Sequence, residues 1–591
     1  MTIKFIKKYY KKYALLFIIG ILANTFVDLT QLFIPEYLGQ LVELISNNIS
    51  LVFGDISIIV FSVIRISILM FIGRLITRFC LLTSSQKIEA NIRSEMFTKA
   101  ERLSQQYYHN HKVGDIMSWF STDIESIEEF IGWGTIMLVD AVFQSIMALT
   151  KMLKLNIILT LISSLPLFAL IIWGNRVEKI MSDKWEERQK NFDKLYDFTH
   201  ENFAGIRVIK AFVKERQEQK AFSKVANEQK EKNLEFARLS MKFDVYIELI
   251  IGVLITIVLL CGSIFIYQNS INKPIVLFDY AIKLSAGELI TFLGYVDIMI
   301  WPMIAMGQIL QMHSRFITSY KRVDHFLSED EEIHNSKNAI CLDKYKGKIE
   351  FKNYSFVYPG GKSHSLNEIS FIINPGEMIG IVGKIGSGKT TLVNSLLRLY
   401  NSEPGTIFVD DVDIMQLNIA NLRDNIAYVP QDNFLFSDNI KNNIAFSNKD
   451  LDIKEIRAAA MFADVDDNII DFSQGYDTVT GERGVTLSGG QKQRISIARA
   501  YIKDAPIMIM DDSVSAVDMS TEETILKNIK EKRKGKTTII IASRVSTVST
   551  LDKILVLNEG RVEAFDSPDK LLEISPTYKK MVYLQKLESE L

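Results

Sequence analysis

The run Gly383-Lys-Ile-Gly-Ser-Gly-Lys-Thr390 carries the spacing G-x-x-x-x-G-K-[ST], which is built to hold phosphate. Its glycines let consecutive backbone N–H groups curl around phosphate oxygens, and a helix starting at its end adds partial positive charge. An apolar run, Met378–Val382, precedes it as a strand, and Thr391–Leu397 follows it as a helix former. In that setting Gly383, Gly386, Ser387, Gly388, Lys389, Thr390 and Thr391 form the expected cradle for ATP. Lys389 is expected on the β- and γ-phosphates, and the Thr390 hydroxyl on Mg²⁺.

Two further patterns belong with this loop. Ile507-Met-Ile-Met510 runs apolar into Asp511-Asp512, so a buried strand delivers Asp511 as the metal-linked carboxylate. Leu487-Ser-Gly-Gly-Gln491 opens a helix through a turn with exposed N–H groups, a second anion-binding feature. One loop already serves this chain's phosphates. The second turn therefore points to a nucleotide held between two chains.

These motifs need a scaffold, and the chain of 591 residues has two contrasting stretches to offer. A net charge of -2 and 48% hydrophobic residues exclude a basic nucleic-acid binder and a disordered chain. Six segments are apolar enough to cross a bilayer, about Tyr13–Ile34, Ile56–Cys80, Trp133–Leu153, Leu155–Trp173, Val245–Tyr267 and Leu289–Gln311. The first continues past Leu32 without a small-residue cleavage site, so it reads as a retained helix rather than a signal peptide. The N-terminal Lys/Tyr stretch before it has the pattern of a helix lying on the membrane surface.

Lysine and arginine distribution places residues 1–12, 87–112 and 176–242 inside, and hence both termini in the cytoplasm. The two longer inside segments read as helices continuing the spans, broken at Gly114 and Gly205. Pro302 falls inside the last span. Four acids lie within spans, Asp28, Asp140, Glu248 and Asp297, and Arg65 is a basic residue there that could pair with them. They either contact substrate or pair with Arg65 or a partner subunit. Cys80, Cys261 and Cys341 lack zinc or disulfide spacing and read as reduced structural residues.

Taken together, the motifs resemble those of an ATP-binding-cassette exporter half-transporter, over nearly the whole length. The resemblance implies an exporter-type bundle of six transmembrane helices fused to a C-terminal α/β P-loop nucleotide-binding domain. It implies a transmembrane domain over 1–326, a linker over 327–345 and an ATP-binding cassette over 346–591. Tyr358 resembles the aromatic that stacks on adenine. Gln431 resembles the Q-loop glutamine, which contacts Mg²⁺ and the membrane domain. Gly481-Glu-Arg-Gly484 resembles the exporter-type loop that meets the cytoplasmic cross-helices. Ser488, Gly489, Gly490 and Gln491 form the family signature, which contacts the partner's ATP, and Asp518 belongs to the D-loop. Lys112-Val-Gly-Asp-Ile-Met117 and Glu201–Ile206 resemble the two intracellular-loop patterns.

Two positions depart from the family. Asp512 stands where a catalytic glutamate is usual, and Ser543 where a switch histidine is usual. The aspartate is shorter by one C–C bond, about 1.5 Å, and serine brings neither imidazole nor positive charge. The pair resembles the degenerate-site subunit of heterodimeric multidrug exporters, which binds ATP and Mg²⁺ and completes a competent site on a second half-transporter. The alternatives are a homodimeric exporter of lipid or drug with slow ATPase, or a non-transporting ATP sensor. The expected setting is the plasma membrane, and the acids lean toward amphipathic cations as substrate. With no peptidase domain ahead of the spans, a leader-cleaving peptide exporter is not expected.

Overall fold

A computed structural model describes residues 4–46, 53–271, 276–277, 280–281, 284–481, 484 and 487–590. The chain divides into two compact units: Met1–Ala100 with Val113–Glu329, and Glu101–Lys112 with Asp330–Leu591.

The first unit is helical. Among the described residues, five helical segments are long and apolar enough to cross a membrane: Ala14–Ser46, Ile56–Arg102, Val113–Leu155, Glu215–Ser270 and Ala286–Ser328. The fourth expected span, 155–173, lies in the helix Ile157–Ala204, where several side chains from 167 to 175 are outside the described residues. Its described apolar part, Ile157–Pro166, is shorter. Asn156 separates it from the preceding helix and caps it, its side chain accepting from the Leu159 N–H at 2.9 Å.

Four helices, Phe53–Arg102, Ile157–Ala204, Glu215–Ser270 and Ala286–Ser328, have 50, 48, 56 and 43 residues. At 1.5 Å per residue they run roughly 65–85 Å, at least twice a bilayer core. Beyond the apolar stretch the Ile157–Ala204 and Glu215–Ser270 helices are zipped by charge. Lys184 and Lys232 bridge Glu187 and Glu235 at 2.8–3.1 Å.

Two local expectations are corrected. The first span does not end near Ile34. Pro35 removes the amide that would bond the Gln31 carbonyl, so the helix breaks at Leu32 and resumes as Phe33–Ser46. Gly114 is not a breakpoint: it sits inside the helix Val113–Ser118 with open space around it. The chain turns instead at Ser104 and His111, both extended, which bracket the short helix Gln105–Asn110. Gly205 does end its helix, followed by the short helix Ile206–Ala211. The helical run from Val113 to Leu155 contains two π-helical turns, Trp119–Asp123 and Phe130–Gly134. The first aims buried Asp123 at Arg322 and Ser319 of the helix Ala286–Ser328, with Arg322 Nε at 2.6 Å.

A two-residue ribbon pairs β1 (Val276–Leu277) with β2 (Tyr280–Ala281). Among the described residues all other strands belong to the second unit: β3 Ile349–Phe356, β4 Leu366–Ile373, β5 Met378–Gly383, β6 Ile407–Val409, β7 Val412–Asp413, β8 Ile426–Val429, β9 Ile507–Asp511, β10 Thr537–Ile541, β11 Lys553–Asn558 and β12 Arg561–Asp566. The central sheet has the order β12-β11-β5-β10-β9-β8 and is parallel except at β12. The second sheet, β4-β3-β6-β7, is antiparallel.

Both faces of the central sheet are covered, which is why its strands read as continuous apolar runs. Along β5, Ile379 and Ile381 enter the core shared with the second sheet, whereas Met378 and Val382 enter the core shared with the helices. The segment before β3 is tied down within the same unit. The Ile340 N–H donates to the Gln416 carbonyl at 2.8 Å, and Lys346 N–H to Asp410 at 2.7 Å. The short helix Gln105–Asn110 belongs to this unit, and Ser104 Oγ donates to Glu332 at 2.8 Å.

Candidate functional site

The carboxyl ends of β5, β8, β9 and β10 form one edge, and the expected nucleotide residues stand along it. The pairing of β5 with β10, β10 with β9 and β9 with β8 puts Gly383, Asp511 and the start of the Gln431 loop side by side. The phosphate loop leaves β5 at Gly383 and enters the helix Lys389–Leu396. Gly386 and Gly388 have φ of 81° and 96°, values that side chains rarely adopt. Lys389 Nζ donates back to the carbonyls of Gly383 and Lys384 at 2.9 and 3.0 Å, spanning the loop. Burial pulls the Lys389 ammonium below its usual value, opposed by the carboxylates of Asp512 and Asp511.

Asp511 is 1% exposed at the end of a strand buried throughout. Burial raises its carboxyl, the Thr390 hydroxyl opposes this by hydrogen bonding to it, and Asp512 reinforces it. Asp511 Oδ2 and Ser387 Oγ are buried without a hydrogen-bond partner among the described residues. Oxygen donors left bare beside the Thr390 hydroxyl suit a hard divalent cation with nucleotide phosphate, so the residues fit Mg²⁺. Thr390 and Asp511 would hold it, and the cation would neutralise phosphate charge there. Gln431 is exposed beyond β8, and its side chain makes no hydrogen bond among the described residues.

Asp512 adopts φ of 48°, left-handed for a residue with a side chain. Its backbone is held on both sides: its N–H donates to Ile541 at 2.9 Å, and its carbonyl accepts from Gln493 at 3.1 Å and Ser515 at 2.9 Å. Ser543 Oγ then donates to Asp512 Oδ1 at 3.1 Å. The two positions that depart from the family are thus in contact with each other.

Tyr358 stands half-buried, its hydroxyl within 2.9 Å of Thr391 Oγ1 and its ring edge-on to Phe356 and Tyr400. These contacts leave an aromatic plane beside the phosphate loop. Ser488 and Gln491 close a reciprocal cap on the helix Gly489–Ile502, at 3.2 and 2.9 Å. Ser488 and Gly489 are exposed, so this turn presents its N–H groups outward. A Cβ on Gly490 would meet the Ala516 carbonyl at 3.1 Å, which ties the signature turn to the D-loop. Asp518 is the cap of the helix Met519–Lys532, held at a pKa of about 2 by hydrogen bonds from Ser520 and Thr521. Of the Gly481–Gly484 loop, residues 482 and 483 lie outside the described residues.

Sequence reasoning missed Gln493. It is 2% exposed, donates to the Asp512 carbonyl and accepts from the Ala516 N–H at 3.1 Å. One amide therefore joins the helix Gly489–Ile502, the residue that follows β9 and the segment leading to Asp518. A buried glutamine two residues past the signature was the only signal.

The span acids are not gathered at one place. Asp28 accepts from Gln144 at 2.9 Å, and Asp140 accepts from Asn24, two rungs one helical turn apart. Glu248 and Asp297 are exposed and make no hydrogen bond or ion pair among the described residues. Pairing with Arg65 is corrected: among the described residues Arg65 makes no ion pair, neutral amides supply the hydrogen bonds, and the arginine whose charge lies near both acids is Arg74.

Two family descriptions match the chain, "ABC transporter transmembrane region" over residues 17–303 and "ABC transporter" over 366–515. Among curated proteins, it is 33% identical to the probable multidrug resistance ABC transporter ATP-binding/permease protein YheI of Bacillus subtilis, covering 98% of this chain and 97% of that one. It is 32% identical to the multidrug resistance-like ATP-binding protein MdlA of Escherichia coli, over 99% of this chain and 95% of that one. Among solved structures, a bacterial Atm1-family ABC exporter with ATP bound superposes with a TM-score of 0.80 at 24% identity, covering 96% and 98% of the two chains.

Proposed function

As the chain belongs to the ABC transporter family, we propose that it is the degenerate-site half of a heterodimeric exporter. Its own pocket grips ATP but scarcely splits it, and its signature turn completes a competent site on a second half-transporter.

The observation that carries this reading is the 3.1 Å contact from Ser543 Oγ to Asp512 Oδ1. A general base must meet the proton it abstracts within hydrogen-bond reach. Here the carboxylate is recessed by about 1.5 Å, and one of its oxygens already accepts from a hydroxyl. A misplacement of about 1 Å can cost on the order of 100-fold in rate. Binding is supported separately, by the Lys389 span, the bare oxygens of Asp511 and Ser387, and the Tyr358 plane. The Ser488–Gln491 turn is formed and faces outward, as completion of a partner's site requires.

ATP bridging two such domains favours their closure only by binding the closed state more tightly. The short helices Gln105–Asn110 and Ile206–Ala211 are the elements to carry that closure to the spans. The second has an apolar surface, with Ile206, Val208 and Phe212 exposed, for a partner to cover. The curated relatives are named for multidrug resistance, which favours drugs or amphipathic compounds as substrate across the plasma membrane, with both termini cytoplasmic.

The test is ATPase turnover of this chain purified alone. Slow turnover is expected, rising when the second subunit is added. Brisk Mg²⁺-dependent turnover by a homodimer overturns the proposal. The same Ser543–Asp512 contact also allows a homodimer with slow hydrolysis. In that case Asp512→Glu with Ser543→His raises turnover of the chain alone, on the order of 100-fold.

A further inference from the structure

The segment that carries Ser543 is held from a direction unrelated to the nucleotide motifs. The C-terminal helix Pro576–Glu590 packs one stripe on the central core: Tyr578 is buried, and Met581 and Val582 lie against the same core. The spacing 578, 581, 582, 585 continues that stripe to a polar residue, Gln585. Its Oε1 accepts from the N–H groups of Val545 and Ser546 at 2.8 and 3.3 Å, and its Nε2 donates to Ser546 Oγ at 2.7 Å. All these groups lie two and three residues past Ser543.

The segment has other anchors as well, with Val545 and Val548 buried in the same core. Ala542 N–H donates to the Ile381 carbonyl of β5 at 3.2 Å. Arg544 lies 3.7 Å from Glu522, and Thr547 donates to that same carboxylate. Between β10 and Val545 the chain has only three residues, 542–544. A shift of the Val545 and Ser546 amides must therefore move Ser543 on Asp512.

We propose that Gln585 is a positioning residue of the nucleotide site: by binding the Val545 and Ser546 amides it sets where the Ser543 hydroxyl meets Asp512. The C-terminal helix thereby becomes part of the device that retains ATP. This rests on the reading that ATP is held at this pocket.

The experiment measures release of radiolabelled ATP, with Mg²⁺, from the full-length transporter in phospholipid nanodiscs. Gln585→Leu keeps the bulk and continues the apolar stripe but removes the acceptor. Gln585→Glu keeps an oxygen toward the two amides. With a hydrogen bond worth about 1 kcal/mol, Gln585→Leu is expected to speed release roughly three- to tenfold, while Gln585→Glu releases ATP at the parent rate. If the glutamine only fills space, the ranking reverses. That reversal overturns the proposal, as does release unchanged in both variants. Lys389→Ala is run beside them. If it leaves ATP retention intact, the nucleotide reading itself fails; if it abolishes retention while both Gln585 variants match the parent, only the positioning role fails.

Discussion

Asp511 and Asp28 are both buried carboxylates with one oxygen lacking a hydrogen-bond partner, at 1% and 2% exposure. Their surroundings differ in kind. Asp511 ends a strand at a sheet edge, where loops gather Lys389, Thr390 and Asp512 around it. Asp28 lies on a helix and meets the neutral amide of Gln144, with the Asn24–Asp140 rung one turn away. A sheet edge delivers several loops to one point, and their backbones hold the charges in place. A membrane helix satisfies its own backbone, so its polar side chains are left to satisfy each other. The first arrangement is suited to gripping a charged ligand, the second to joining two helices.

The comparison breaks most visibly at Lys389. Lys389→Ala is expected to lower Mg²⁺-ATP affinity on the order of 100-fold, the scale of a lost charge-assisted contact to phosphate. Nucleotide binding measured directly decides this, and retained affinity would mean the sheet edge does not grip phosphate as argued. Acid provides the next test. The raised carboxyl of Asp511 must lose its proton to take a metal. Protons therefore compete with Mg²⁺, and affinity falls as pH is lowered, starting above the range of a solvent-exposed aspartate. The fall is limited to about tenfold per pH unit for one proton. Affinity flat down to the ordinary aspartate range would show that Asp511 does not ligate.

For the membrane unit, Asn24→Leu strips Asp140 of its donor. Asp140 is half-buried, so leaving it without that donor costs about 1–2 kcal/mol, the lower part of the range for an unpaired polar group, seen as lower thermal stability in detergent. Asp140→Asn keeps an acceptor and is expected to cost less; equal losses would show that the rung does not join the helices. Returning to the sheet edge, Tyr358→Phe removes only the hydrogen bond to Thr391, so ATP affinity should drop about fivefold, the value of one neutral hydrogen bond. The smallest effect concerns transport. Glu248→Gln and Asp297→Asn, at positions without partners among the described residues, should reduce efflux of a cationic drug about two- to threefold, the scale of an exposed charge contact. A larger loss from Asp28→Asn would place substrate at the amide-paired rungs instead.

Much of the nucleotide edge was legible in the sequence because each motif is local. The glycine spacing of 383–388 dictates positive φ, the run 507–511 dictates a buried strand ending in acid, and Ser488 with Gln491 dictates a helix cap. The membrane helices were legible as apolar runs, but not in their detail. The break at Leu32 depends on a proline three residues on, and the π-helical turns near Trp119 and Phe130 leave no mark in the hydropathy. Gly114 misled because glycine permits a break without requiring one: the chain turns at His111, and from Val113 on it stays helical through Gly114.

By itself the sequence determined which residues could touch nucleotide, since those roles depend on residue type and on separations of a few positions. It also determined that Asp512 and Ser543 depart from the family. Tertiary structure alone decided that these two meet, that Gln493 and Gln585 hold the segments beneath them, and that Asp28 and Asp140 face amides rather than Arg65. Such contacts join residues 19 to 116 positions apart. Strand order and helix packing determine which of them come within hydrogen-bond reach, and no local pattern encodes that.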